Sequence, residues 1–208
     1  MLPRAVLFDL LTALLDSWTL WDAVAGGAEK GRAWRAEYLK LTYGSGVYVA
    51  YEELVRIAAR KVGLPESVPQ ALEDRWQQLK PWSGAVEVLE ALSGRTKLGV
   101  VTNCSKRSGA LAAGLLKTRW DCVITAEEAG YYKPNPRPYR LALERLGVTA
   151  DDAAFVAGSG YDLIGTSAVG LRTYWHNRVG LARPLQAPPA DLESPTLERL
   201  VPWLQGQP

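Results

Sequence analysis

Short apolar runs and longer amphipathic stretches alternate along most of the chain. The runs at residues 5–8, 98–101, 122–125, 153–157 and 172–175 are mostly apolar, as strands are when both faces of a parallel sheet are covered. Between them apolar residues recur at helical spacing over 85–92, 108–116 and 138–146. Gly147 stands where the last of these would end in a left-handed cap. Strands alternating with helices predict a doubly wound, Rossmann-like α/β fold. From Asp16 to Pro81 the strand-like runs vanish and helical periodicity takes over, at 34–41, 51–62 and 69–79. The expected organisation is a catalytic core of residues 1–15 and 82–208, with a helical cap domain of residues 16–81 inserted after the first strand. Beyond Asn177 the chain turns Pro-rich through Ala187, Pro188 and Pro189, then recovers a short amphipathic helix near 197–204. No internal repeat or low-complexity tract is present.

Open α/β sheets bind ligands in the crevice at the carboxyl ends of their strands. The residues that follow the expected strands are Asp9; Thr102, Asn103, Cys104 and Ser105; Lys133; Ser159 and Asp162; and His176 with Asn177. A carboxylate at the end of an apolar strand is costly unless charge or hydrogen bonds compensate it. Helix capping would account for Asp9 alone. Lys133 and Asp162, also expected at strand ends, add a cation and a second carboxylate, and the joint pattern favours chemistry. Cys104 and His176 offer a competing constellation, a thiolate–imidazolium pair, against which stand their ordinary uses as a small core residue and a loop cap.

Composition narrows the partners more than the chemistry. A chain of 208 residues accommodates one core with an insertion. Its net charge of +2 supplies no field that would steer it onto nucleic acid or membrane. Two cysteines are too few for a disulfide framework, so the cytoplasm is the expected compartment. The apolar run after Arg4 looks like the heart of a signal peptide, but Asp9 interrupts it and no small-residue cleavage site follows. No uncharged apolar stretch reaches the ~18 residues of a spanning helix. Aromatic usage is skewed to 8 Trp and 9 Tyr against 2 Phe. Trp18, Trp21, Trp34, Tyr38, Tyr43 and Tyr48 fall in or near the insertion and are candidates to dry a pocket, some of them serving instead as cap core. Exposed cap aromatics are also compatible with a homodimer.

Four segments now carry a resemblance. They are Val6-Leu7-Phe8-Asp9-Leu10-Leu11-Thr12-Ala13-Leu14, Val100-Val101-Thr102-Asn103, Tyr132-Lys133-Pro134-Asn135-Pro136 and Phe155-Val156-Ala157-Gly158-Ser159-Gly160-Tyr161-Asp162. In this order, spanning nearly the whole chain, they resemble the signatures of the haloacid dehalogenase superfamily of hydrolases. The resemblance implies that Asp9 is a nucleophile forming a covalent ester and that Thr102 hydrogen-bonds the substrate's anionic group. It further implies that Lys133 holds Asp9 ionised, that Asp162 completes the site, and that the insertion is the cap closing over it.

Two positions choose the branch. The superfamily's phosphatases place a general acid two residues after the nucleophile, where this chain has Leu11; without it an alkoxide leaving group departs unprotonated, a loss of about 10²-fold or more. They also carry an acidic residue four before the position of Asp162, where this chain has Gly158, so that Mg²⁺, if used, would keep only Asp9 and Asp162 as carboxylate ligands. A halide needs neither proton nor metal to leave. The chain therefore looks most like the L-2-haloacid dehalogenases, with no cofactor required and a small anionic substrate. Trp34-Arg35, Tyr139 after Lys133 and Tyr174-Trp175-His176-Asn177-Arg178 resemble that branch as well. The implied chemistry is attack of Asp9 on the carbon bearing the halogen, then hydrolysis of the ester by water. Arg35 would receive the halide, while Leu10, Leu11, Asn103, Tyr139 and Ser159 would bind substrate; backbone amides after Asp9, with Asn103 and Ser105, would hold its carboxylate. The chain departs from the branch at Thr12 and Ala13, where the branch has glycine then threonine, and at Ala157 and Ser159, where it has serine and asparagine. These departures bear on ester hydrolysis. A Mg²⁺-dependent phosphomonoester phosphatase and a non-catalytic binding protein of the same fold are the alternatives. Lys106, Arg107, Arg137 and Arg140 read as solvated surface, and Gly158, Gly160 and Gly165 match a nucleotide loop only loosely.

Overall fold

The computed structural model describes residues 1–207. Its centre is a six-stranded parallel sheet in the order β3-β2-β1-β4-β5-β6, with β1 at Ala5–Phe8, β2 at Lys97–Thr102, β3 at Cys122–Thr125, β4 at Ala153–Ala157, β5 at Arg172–His176 and β6 at Leu192–Ser194. Phe8 pairs with Val100 on one side and Val156 on the other. Asp9 therefore leaves the sheet at the middle of its carboxyl edge, and its backbone N–H still bonds the Val156 carbonyl at 2.9 Å.

Successive side chains of a strand point to opposite faces, and both faces are filled. Val6, Phe8, Val100, Val156 and Tyr174 pack on one side, towards α5 (Ala85–Leu92), α6 (Lys106–Gly114) and α10 (Leu200–Leu204). Leu7, Val101, Ile124 and Phe155 pack on the other, under α8 (Pro136–Leu146) and α9 (Asp162–Val169). A single turn of helix, α7 (Ala126–Ala129), follows β3.

Between β1 and β2 the chain forms α1 (Ser17–Ala25), α2 (Ala28–Gly44), α3 (Tyr51–Lys61), α4 (Ser67–Asp74) and a 3₁₀ turn, Trp76–Gln78. These helices share an aromatic centre, in which Trp21 packs at a tilt against Trp34, with ring centroids 4.4 Å apart, and against Tyr38 at 5.6 Å. The segment enters and leaves side by side: Leu15 bridges Pro81 antiparallel, Asp16 N–H bonds the Lys80 carbonyl at 2.8 Å, and Trp82 N–H bonds that of Leu14 at 2.9 Å.

Several elements differ from the expectation for local reasons. The helix expected over 69–79 breaks after Asp74, because Trp76 turns inward and its indole N–H donates 2.9 Å to the Ser108 carbonyl. The helix expected from 108 begins at Lys106, where the Ser105 hydroxyl accepts from Ser108 N–H as an N-cap. The one expected from 138 begins at Pro136, with Asn135 accepting from Arg137 N–H and a proline in the first turn. Helices α1 and α9 were not anticipated, nor was β6; α1 and α9 are short and β6 is a three-residue edge strand. The C-terminal helix spans only Leu200–Leu204 within the expected 197–204. Among the described residues no helix is long and apolar enough to cross a membrane.

Leu89 on α5 is 1% exposed. Leu89→Ala is expected to cost about 2–5 kcal/mol, seen as a lower denaturant midpoint with an unchanged slope in a urea titration.

Candidate active site

Every polar atom of the Asp9 side chain is engaged. Oδ1 accepts from Lys133 Nζ at 2.7 Å. Oδ2 accepts from Thr12 N–H at 2.8 Å, Thr12 Oγ1 at 2.6 Å and Ala13 N–H at 3.1 Å. Lys133 reaches Asp9 from the loop after β3 and α7 and also lies 2.9 Å from Asp162 Oδ1 at the start of α9. That oxygen accepts a further hydrogen bond from the Tyr139 hydroxyl at 2.8 Å. The turn after β1 thus caps its own carboxylate, and two further strand ends deliver the cation and second acid.

All three charged groups are buried. Burial alone would raise the Asp9 carboxyl, but the Lys133 charge and the hydrogen bonds from Lys133 and Thr12 hold it below the ordinary range. Burial likewise disfavours the Lys133 ammonium, and Asp162 and Asp9 together outweigh it and push it up. Asp162 shares its cation with a neighbouring carboxylate, so burial, aided by the Asp9 charge, leaves it raised. Two carboxylates of unlike basicity stand at one site, one held below its ordinary range and one raised above it.

These groups open onto a cavity of about 610 Å³ between the sheet edge and the helical insertion. Its opposite wall carries Arg35, 8% exposed. The guanidinium lies 4.2 Å over Trp18 and 5.4 Å from Trp21, and its Nη1 donates to Ser17 Oγ at 2.9 Å. Among the described residues no carboxylate comes within 4 Å of it. Asp9 and Asp22 act on it only through space, and a buried cation without a direct ion pair is a seat for an anion.

The other expected site residues separate. Thr102, Asn103, Leu11 and Ser159 line the cavity. The Asn103 amide is clamped to the Lys133 backbone, donating to its carbonyl at 3.2 Å and accepting from its N–H at 2.7 Å, so it positions the lysine. Thr102 Oγ1 sits 3.3 Å from Cys104 Sγ. Leu10 and Tyr139 do not line the cavity: the Leu10 side chain is packed in the core, and Tyr139 lies behind Asp162, where its hydroxyl is used up. Ser105 turns away to Glu52, donating at 2.6 Å. Of the six aromatics considered for the pocket, Trp18, Tyr38 and Tyr43 line it, Trp21 and Trp34 are core, and Tyr48 stacks on Tyr132 at 5.4 Å. Leu39 of α2, Tyr161 and the rim from Val179 to Pro184 escaped the sequence reading. Tyr161, tilted against Tyr43 with ring centroids 4.3 Å apart, was legible as the residue before Asp162; the rim lies in an unpatterned loop.

Two alternatives lose their footing. Cys104 and His176 end β2 and β5, which are three strand spacings apart, roughly 14 Å. Burial pushes the Cys104 thiol up to about 12, and His176 Nδ1 is bonded to the Ala13 carbonyl at 2.8 Å. They do not form a dyad. For a divalent cation, Asp9 and Asp162 would be the carboxylate ligands, yet the Lys133 ammonium already bridges them. A Cβ at Gly158 would lie 2.2 Å from Thr12 Oγ1 and 2.3 Å from Ala13 N, leaving no room for a third acid. The residues do not fit such an ion.

Residues 6–176 match the family model described as haloacid dehalogenase-like hydrolase. The chain is 30% identical over 193 residues to (S)-2-haloacid dehalogenase 1 of Pseudomonas sp. (strain CBS-3), covering 85% of each. It is 26% identical over 215 residues to haloacetate dehalogenase H-2 of Moraxella sp. (strain B), covering 95% of this chain and 96% of that protein. The structure of L-2-haloacid dehalogenase from Xanthobacter autotrophicus with chloropropionic acid covalently bound superposes with a TM-score of 0.84 over 99% of this chain and 100% of that one, at 21% identity, which establishes the shared fold.

Removing Lys133 would strand two buried carboxylates. Lys133→Ala is expected to lose about 3–5 kcal/mol near neutral pH, measured by chemical denaturation. Because the folded-state lysine is raised and Asp9 lowered, the stabilisation from the lysine persists below its ordinary value and fades as pH rises through the raised one. That from Asp9 holds above the ordinary carboxylate value and fades as pH falls through the lowered one.

Proposed function

Because the chain belongs to the haloacid dehalogenase-like hydrolase family, we propose that it is a metal-independent 2-haloacid dehalogenase acting through an ester of Asp9. The observation that carries this reading is the pairing across one cavity of an Asp9 carboxylate held by Lys133 with a buried Arg35 that makes no direct ion pair.

Oδ2 already accepts three hydrogen bonds, while Oδ1 accepts only from Lys133. Oδ1 is therefore the freer nucleophile. It attacks the carbon bearing the halogen, the new C–O bond forms as the carbon–halogen bond breaks, and the halide leaves with the electron pair towards Arg35. The Trp18 ring, which lies against the guanidinium and lines the cavity, makes that end of the pocket apolar, where a weakly solvated anion is accommodated well. Water then attacks Asp9 Cγ and gives its proton to Asp162, whose raised basicity suits a general base. The tetrahedral intermediate collapses with loss of the Cγ–Oδ1 bond, the departing alkoxide of the 2-hydroxy acid takes the proton from Asp162, and the Asp9 carboxyl, now carrying the water oxygen, releases the remaining water proton to solvent and is restored as the carboxylate beside Lys133. Thr102 and the backbone amide of Leu11, both at the cavity wall, support the substrate carboxylate, since the Thr12 and Ala13 amides are spent on Asp9. The helices of residues 16–81 act as the cap that supplies Arg35 and Trp18. The phosphatase alternative is disfavoured because Leu11 supplies no proton to a leaving alkoxide and Gly158 has no room for a third acid to hold a metal.

Halide release from 2-chloro- and 2-bromoalkanoic acids, without added metal, is the expected activity. Asp9→Asn should abolish it, and Asp162→Asn should leave one equivalent of halide released while turnover falls by about 10²-fold or more. Mg²⁺-dependent phosphate release from phosphomonoesters with no halide release would overturn the reading. The acid limb of turnover should lie above the ordinary carboxylate range, since the raised Asp162 must lose its proton to serve as base; a pH profile of steady-state rate checks this.

A further inference from the structure

We infer that Ser17, Trp82 and His176 form an outer clamp that turns the backbone after Asp9 so that its amides make an oxyanion cradle at Oδ2, and that they are positioning residues for hydrolysis of the Asp9 ester. The inference rests on the dehalogenase reading for the ester but not for the cradle itself.

Each carbonyl from Leu11 to Leu14 is held from outside the turn. Ser17 Oγ donates to the Leu11 carbonyl at 2.6 Å, Trp82 Nε1 to that of Thr12 at 3.0 Å, and Trp82 N–H to that of Leu14 at 2.9 Å. His176 Nδ1 meets the Ala13 carbonyl at 2.8 Å. A carbonyl only accepts, so Nδ1 meets it as an N–H donor. With the carbonyls drawn outward, the intervening N–H groups of Thr12 and Ala13 face inward onto Asp9 Oδ2. Gly158 permits this, since any Cβ there would strike the Thr12–Ala13 peptide.

The two half-reactions use this cradle oppositely. Charge leaves the carboxylate as Oδ1 is alkylated, and it returns to Oδ2 when water adds to Cγ. Donors fixed on Oδ2 therefore favour the second step over the first. Ser17 also accepts from Arg35, joining the cradle to the wall that faces the halide.

His176→Phe and Trp82→Phe keep ring bulk and lose the donor, whereas His176→Asn retains one. In rapid-quench assays with 2-chloropropionate, the Phe variants should release the first equivalent of halide within about threefold of the wild-type rate. Steady-state kcat should fall at least tenfold, with the ester adduct accumulating on Asp9 by mass spectrometry, and His176→Asn should recover part of the loss. Independently of substrate, a ¹³C NMR titration of the Asp9 carboxyl should move upward in the Phe variants. Equal loss in both half-reactions, or an Asp9 titration that stays put, would overturn the inference. If the wild-type protein releases no halide, the dehalogenase reading falls and the titration alone decides the clamp.

Discussion

One ammonium between two buried carboxylates organises this molecule. Lys133 touches Asp9 at 2.7 Å and Asp162 at 2.9 Å. Each of these groups would be costly to bury alone, and together they are tolerable only in this geometry. The arrangement requires three strand ends to converge, which the parallel order around β1 supplies. It also makes the acids unequal, because Asp9 receives four hydrogen-bond donors while Asp162 shares its cation. The proposed division of labour between nucleophile and base thus follows from charge count and burial.

The helical insertion answers the sheet edge with the opposite electrostatic problem. It brings a guanidinium into an aromatic wall and gives it a hydroxyl partner in place of an acid. The insertion is also tied to the core beyond its entry point: Glu52 on α3 accepts from Ser105 and Ser108 at the start of α6, and the Tyr38 hydroxyl reaches the Asn103 carbonyl. Arg35 is thereby fixed relative to Asp9 by contacts on several sides of the cavity.

Much of this was legible in the sequence where the signal is local. Apolar runs announce buried strands, and reactive residues placed directly after them must meet at one edge. What was hidden depends on where side chains point once packed. Tyr139 follows Lys133 at helical spacing, yet it turns beneath Asp162, a direction fixed by Gly165, where any Cβ would meet its ring at 2.3 Å. Ser105 was spent on Glu52, 53 residues away in the chain. Helix α9, with Gly, Thr and Ser among its eight residues, lacked the periodicity by which helices are recognised.

The close fit of Gly158 against Thr12 ties two distant positions into one allotment of volume. Thr12 brings its hydroxyl to Asp9 by occupying space that any side chain at 158 would need. Neither position can enlarge alone, and substitutions at the two should be strongly non-additive. Because the Thr12–Ala13 peptide itself stands in the way, a descendant of this chain could acquire an acidic group at 158 only by moving that peptide, so the route from this site towards metal-assisted chemistry runs through an intermediate in which Asp9 has lost an amide donor as well as a hydroxyl.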